Sequence, residues 1–112
     1  MKFKIYGGQN QMTKADLVKD ISTETGIIRK DVAIVVDALL HSIKEMMKAG
    51  RHIEIRHFGT FKLKIRKARM GRNPKTSDQV AVPERVVPTF KFSREFKVGV
   101  LNSVQPSQLE DK

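Results

Sequence analysis

The 112-residue chain reads as a single small α+β domain. Three observations predict it. Up to Gly50, apolar residues recur at three- and four-residue steps, the period of helices that bury one face. From Ile53 the period drops to two, as in strands, and a short helical segment follows Ser93. The charge divides at the same place. Residues 13–50 balance six cations against six anions, whereas Arg51 to Lys97 holds 13 basic residues against Glu54, Asp78, Glu84 and Glu95, a net of +9.

Residues 1–12 read as an extension, in which Phe3, Ile5 and Tyr6 form a short strand ended by Gly7-Gly8. Thr13 is the expected N-cap of a first helix, with Asp16 three residues on in a capping-box variant. Ala15, Leu17, Val18 and Ile21 supply its apolar stripe, and Gly26 stops it. Asp16 and Asp20 share one face and are expected in solvent. A second helix runs from about Arg29 to Ala49. Its stripe is Val32, Val35, Val36, Leu39, Leu40, Ile43, Met46 and Met47, and Gly50 ends it. The short connection packs the two helices as an antiparallel pair.

Ile53 and Ile55 alternate with Glu54 and Arg56 as in a strand, and Gly59-Thr60 is the expected turn. Phe61, Leu63 and Ile65 then alternate with Lys62, Lys64 and Arg66, so one face is apolar and the other basic. The basic run continues through Lys67, Arg69 and Arg72, and no acid occurs from Gly59 to Ser77. Gly71-Arg72-Asn73-Pro74 reads as a turn tip. Gln79 to Val87 returns as a strand, with Pro83 on an edge or bulge, and Thr89 to Phe92 forms a further short strand. Ser93 caps a last helix through about Leu101, with Glu95 in its first turn. Residues 103–112 read as a disordered tail.

The charge and the pattern together describe a basic hairpin arm. With about ten residues a side it reaches on the order of 30 Å. An isolated hairpin is marginally stable, so the arm is expected to be flexible until it meets a polyanion. The net charge of +10 and pI near 10.2 point to nucleic acid first and an anionic membrane surface second. An exposed Pro74 has the shape of a wedge that enters a base step. Asn73-Pro74 serves equally well as a plain turn former.

The segment from Thr13 to Asn102 resembles the HU/integration host factor family of bacterial histone-like DNA-bending proteins. His57-Phe58-Gly59-Thr60-Phe61, Gly71-Arg72-Asn73-Pro74-Lys75-Thr76 and Pro88-x-Phe90 carry the resemblance, over about ninety residues. It implies two N-terminal helices, a three-stranded antiparallel sheet with a long protruding β-arm (about 62–87), a short C-terminal helix and an intertwined dimer, homo- or heteromeric. It implies a double-stranded DNA partner, including bent, nicked or junction DNA, held in the minor groove with low sequence specificity, and a place in the cytoplasmic nucleoid. Carried over by position, Lys64, Arg66, Lys67, Arg69, Arg72, Lys75 and Arg85 are arm contacts, and Asn73 and Pro74 the tip and wedge. Arg94 and Lys97 are body contacts to phosphate, and Phe58, Phe61 and Phe90 an aromatic core between subunits. The chain also departs from the pattern. His57 stands for a usual Gly, Ser77-Asp78 for a Gly followed by a cation, and Ile28 for a Ser-type cap. Ala81, Pro83 and Glu84 occupy positions that are often basic, which leaves the outgoing strand cationic and the returning one nearly neutral.

Other chemistries find little support. Without Cys there is no disulfide and no Cys-based zinc site, and His41, His52 and His57 lack ligand spacing. Gly71 to Thr76 is not a P-loop. No nucleophile–base set, cofactor motif, leader-like apolar run or stretch near the roughly 20 apolar residues of a membrane span is present. The expectation is a non-enzymatic protein without cofactor. A nucleic-acid chaperone acting on RNA, a site-selective bender of the integration-host-factor type, and a basic adhesive for anionic surfaces are the competing readings.

Overall fold

The computed structural model describes residues 11–109, and the expected extension 1–12 lies almost wholly outside them. Two compact units emerge, which among the described residues comprise 11–44 with 105–109 and 45–104.

In the first unit, α1 (Lys14–Thr25) begins with the expected box. The Thr13 hydroxyl accepts from the Asp16 N–H at 3.2 Å, and the Asp16 carboxylate accepts from the Thr13 N–H at 2.9 Å. Gly26, at φ 78°, ends the helix and donates to the Ser22 carbonyl. After Ile27 and Ile28, α2 (Arg29–Lys48) starts without a side-chain cap; Ile28 contributes its carbonyl, which accepts from Asp31 and Val32. Lys14 reaches Asp37 at 2.6 Å, so α2 folds back along α1. Two expectations need correcting. Asp20 is buried (6% exposed), not solvated, so α1 is enclosed on more than the side that Val18 occupies. The α2 stripe is left largely uncovered among the described residues. Val32 is buried, but Val35, Leu39, Leu40 and Met46 are 43–68% exposed. One helix hairpin is too little to enclose a stripe that long.

In the second unit, a three-stranded antiparallel sheet has the order β1 (Ile53–Ile55), β2 (Gly59–Arg66), β5 (Arg85–Phe92). A two-stranded ribbon, β3 (Arg69–Arg72) with β4 (Gln79–Val82), forms the distal arm. The β1–β2 turn is Arg56-His57-Phe58, closed by the Phe58 N–H on the Ile55 carbonyl (3.0 Å), rather than Gly59-Thr60. His57 occupies the left-handed position of that turn at φ 67°. Gly59 is needed instead for close approach: a Cβ there would collide with the Phe90 ring and the Lys91 carbonyl.

The returning strand also breaks elsewhere than expected, at Pro83-Glu84 and not at Pro88. The Ser93 N–H donates to the Phe58 carbonyl at 2.9 Å, which sets the phase of the ladder at the body end. Bonded pairs recur every second residue, so the odd-numbered residues of β5 address β2. Pro88 then directs its missing N–H to the free edge and is tolerated, whereas Pro83 lacks a donor the ladder requires. The register nonetheless carries through. Arg66 faces Arg85 and Arg69 faces Val82, so Lys67-Ala68 and Pro83-Glu84 span the gap with no residue inserted.

Helix α3 (Arg94–Ser103) is capped by Ser93, whose hydroxyl accepts from the Phe96 N–H at 3.1 Å. In the segment expected to be a disordered tail, Pro106–Gln108 takes one 3-10 turn, closed by the Gln108 side chain on the Gln105 N–H at 2.6 Å.

Candidate nucleic-acid interface

The arm begins where β2 and β5 leave the body. Lys64 and Arg66 end β2, Arg85 starts β5, and all three are exposed. Residues directly opposite in an antiparallel pair share a face, so Arg66 and Arg85 project from the same face of the ladder. Lys67 occupies the gap, Arg69 and Arg72 belong to β3, and Lys75 lies in the tip; each is exposed. Among the described residues the ion pairs are Lys14–Asp37, Lys48–Glu45 and His57–Glu95. No arm cation takes part, and Glu84 does not neutralise the Lys67 it faces. The cations of the arm are available to an external anion.

Residues 73–78 join β3 to β4, a wider tip than a turn centred on Asn73-Pro74. A strained single turn is avoided because Asn73 organises the loop. Its N–H donates to the Asp78 carbonyl (2.8 Å), its carbonyl accepts from Ser77 (2.7 Å), and its Oδ1 accepts from the Lys75 N–H (2.9 Å). Asn73 is therefore the turn builder. Pro74 follows it on the outer curve, exposed. Ser77 closes the loop in the left-handed region at φ 64°. Gly71 keeps the ribbon narrow: a Cβ there would stand 3.2 Å from the Val82 side chain and 3.3 Å from Arg69 Nη1.

Arg94 and Lys97 are not on the arm. They line an open groove of about 690 Å³ between α3 and the sheet, together with Arg56, Lys62 and Lys91. Those three were not among the cations the sequence singled out. Register would have found two of them: Lys62 faces Thr89 and Lys91 faces Thr60, which sets both lysines on one face of the sheet. Lys64 and Lys97 meet the same two lysines in an adjoining hollow of about 360 Å³. Like charges gathered this closely attract an anion. In the groove wall, His57 Nδ1 and Glu95 Oε2 lie 2.7 Å apart. The Glu95 carboxyl is held below its usual range, first by its own backbone N–H at the start of α3 and then by the His57 ring. The Asp16 carboxyl is lowered likewise, by the backbone N–H and the hydroxyl of Thr13.

Phe58, Phe61 and Phe90 come together as one cluster, with Phe90 5.6 Å from Phe58 and 4.6 Å from Phe61 between ring centroids. Phe92 and Phe96 extend it, Phe96 lying 5.2 Å from Phe58 and 4.6 Å from Phe92. The cluster is not sealed, since Phe58 and Phe92 remain 42% and 45% exposed. No group of three or more His, Cys, Asp or Glu capable of holding a metal ion occurs among the described residues. No helix among them is long and apolar enough to cross a membrane.

Residues 12–100 match the family model of bacterial DNA-binding proteins. Integration host factor subunit beta of Halorhodospira halophila is 41% identical over 102 residues, covering 90% of this chain and 100% of the relative. DNA-binding protein HU of Thermus thermophilus is 40% identical over 86 residues, covering 77% and 89% respectively. An Anabaena HU–DNA cocrystal structure superposes with a TM-score of 0.75 at 34% identity, over 80% of this chain and 97% of that one.

Proposed function

The chain belongs to the family of bacterial DNA-binding proteins that includes HU and integration host factor, and on that premise we propose that it is an architectural protein that grips the minor groove of duplex DNA and bends it. The observation that carries this reading is the arm: a narrow ribbon whose cations form no ion pair among the described residues, ending in an exposed proline. Phosphates supply the missing anions, and each contact releases counterions, so affinity falls steeply with salt. Arginine suits a narrow, strongly negative minor groove. A rigid ring without an N–H is suited to enter a base step and unstack it.

The groove bearing Arg94 and Lys97 extends the contact from arm to body. A duplex that curves would reach both. The uncovered stripe of α2 and the open phenylalanine cluster fit a second, intertwined chain, identical or closely related, which sets a second arm on the same duplex. A nucleoid location in the cytoplasm follows from this role, and residues 13–102 serve as its DNA-binding domain.

The test is energy transfer between dyes at the two ends of a short duplex, measured at several salt concentrations. Transfer should rise on binding and fade as salt increases. Pro74→Ala should lower the bend more than the affinity, and an equal bend from that variant would remove the wedge from the mechanism. Binding without any rise in transfer would mean a protein that coats DNA. No binding at low salt would overturn the reading as a whole.

A further inference from the structure

His57 closes the β1–β2 turn in the left-handed region, at φ 67°, where glycine would sit without strain. Backbone strain persists where the surrounding structure fixes it, and such residues cluster at functional sites. The ring is not idle in its turn. Its Nδ1 lies 2.7 Å from Oε2 of Glu95, in the first turn of α3, and both side chains line the body groove. Charged groups of that groove surround the ring from each element that forms it. Glu54 of β1 and Arg56 of the turn flank it in sequence. Lys62 lines the groove from β2, Lys91 from β5, and Arg94 and Lys97 join Glu95 from α3. Five cations thus stand against two carboxylates, and the groove is electropositive whatever the state of the ring.

A carboxylate only accepts hydrogen bonds, so Nδ1 donates in this contact and carries a hydrogen in either charge state of the ring. The neutral ring therefore presents a bare lone pair at Nε2. That nitrogen has no hydrogen-bond partner among the described residues, and the side chain is 64% exposed. A phosphate oxygen is also an acceptor only, so a bare Nε2 turns it away. One added proton converts Nε2 to an N–H donor and makes the ring a cation. Imidazole is the side chain that makes this change between about pH 5 and 8. The Glu95 carboxyl does not follow it. Held below its usual range by its own N–H at the start of α3 and by the His57 ring, it stays ionised there.

We propose that His57 is a proton-gated phosphate contact of the body groove, oriented by Glu95, so that binding of duplex DNA tightens as pH falls from about 8 to about 6. The inference rests on the reading of this groove as a DNA contact and adds its regulation. The five fixed cations draw phosphate in at any pH. A bound phosphate offsets their repulsion of one more positive charge, so DNA binding and proton uptake each favour the other.

The experiment measures the affinity of the full chain for a DNA duplex at about pH 6 and about pH 8 over a range of salt. Wild type should bind about fivefold more tightly at the lower pH, with a salt slope steeper by about one. His57→Gly should lose that difference. His57→Lys, a fixed cation, should keep the tighter binding at both pH values, which a disrupted turn could not do. Glu95→Gln still accepts from Nδ1 but no longer favours the charged ring, so the tightening should set in at lower pH. His41 and His52 remain in each variant and serve as the internal control for other titrating rings. Equal binding by wild type at both pH values, or a full pH response in the His57→Gly protein, would overturn the proposal and leave DNA binding in place. Failure of wild type to bind DNA at low salt at either pH would instead defeat the underlying reading.

Discussion

His57 and Ser77 are the non-glycine residues with positive φ among those described, at 67° and 64°. Both stand where the resemblance leads one to expect glycine, and both close turns. A side chain in the left-handed region costs ~1 kcal/mol relative to glycine. At Ser77 nothing offsets that cost, so Ser77→Gly should slow hydrogen exchange of the Asn73 and Ser77 amides about fivefold, that is ~1 kcal/mol of added tip stability. His57 differs because its ring is 2.7 Å from Glu95. Relief of strain and loss of an exposed pair are of similar size, so His57→Gly should leave the thermal midpoint nearly unchanged. A large destabilisation would show that the pair matters more than exposed pairs usually do. At this scale the caps were legible, since Thr13 with Asp16, and Ser93, declare themselves by type and spacing. The burial of Asp20 was not, because sequence marks a carboxylate's charge and not its neighbours.

The elements were read well where one local period governs them. Helix α1 was expected to stop at Gly26 and α2 to run to about Ala49, and they end at Thr25 and Lys48. The arm was harder. Two prolines of the returning strand, Pro83 and Pro88, look alike in sequence, and only the hydrogen-bond phase decides which one interrupts pairing. That phase is set across the sheet, by Ser93 on Phe58, and is invisible along the chain. Replacing Pro83 by valine supplies the missing donor. The Pro83→Val arm should close its gap, and amides from Arg66 to Arg69 should become more protected in the free protein. Unchanged exchange there would mean that the facing Lys67-Ala68 segment interrupts the ladder by itself. The three body cations that the sequence did not bring together have the same origin, since Arg56, Lys62 and Lys91 meet in one groove from segments that are distant in sequence.

For the whole molecule, the limiting quantity is apolar cover. Only Val18 and Val32 are buried hydrophobics among the described residues, and Leu39, Leu40 and Met46 stay open on α2. A domain this size is marginal even with a complete core. If a second chain completes it, folding and association are one equilibrium, and the thermal midpoint must fall on dilution. A midpoint independent of concentration would mean that something other than a second chain covers that stripe. The sequence showed which residues form the stripe but could not show that the other described residues leave them bare. Periodicity gives a face, and only the coordinates give what lies against it.

Arg66 and Arg85 share one rung at the root of the arm. Two like charges directly opposite one another oppose the pairing slightly, although the rung is formed and both side chains reach solvent. An anion placed between them reverses the sign of the rung, turning a spreader into a clasp. On the proposed reading, a bound phosphate would therefore act twice at the root of the arm, as ligand and as counter-charge to a rung that carries two like charges.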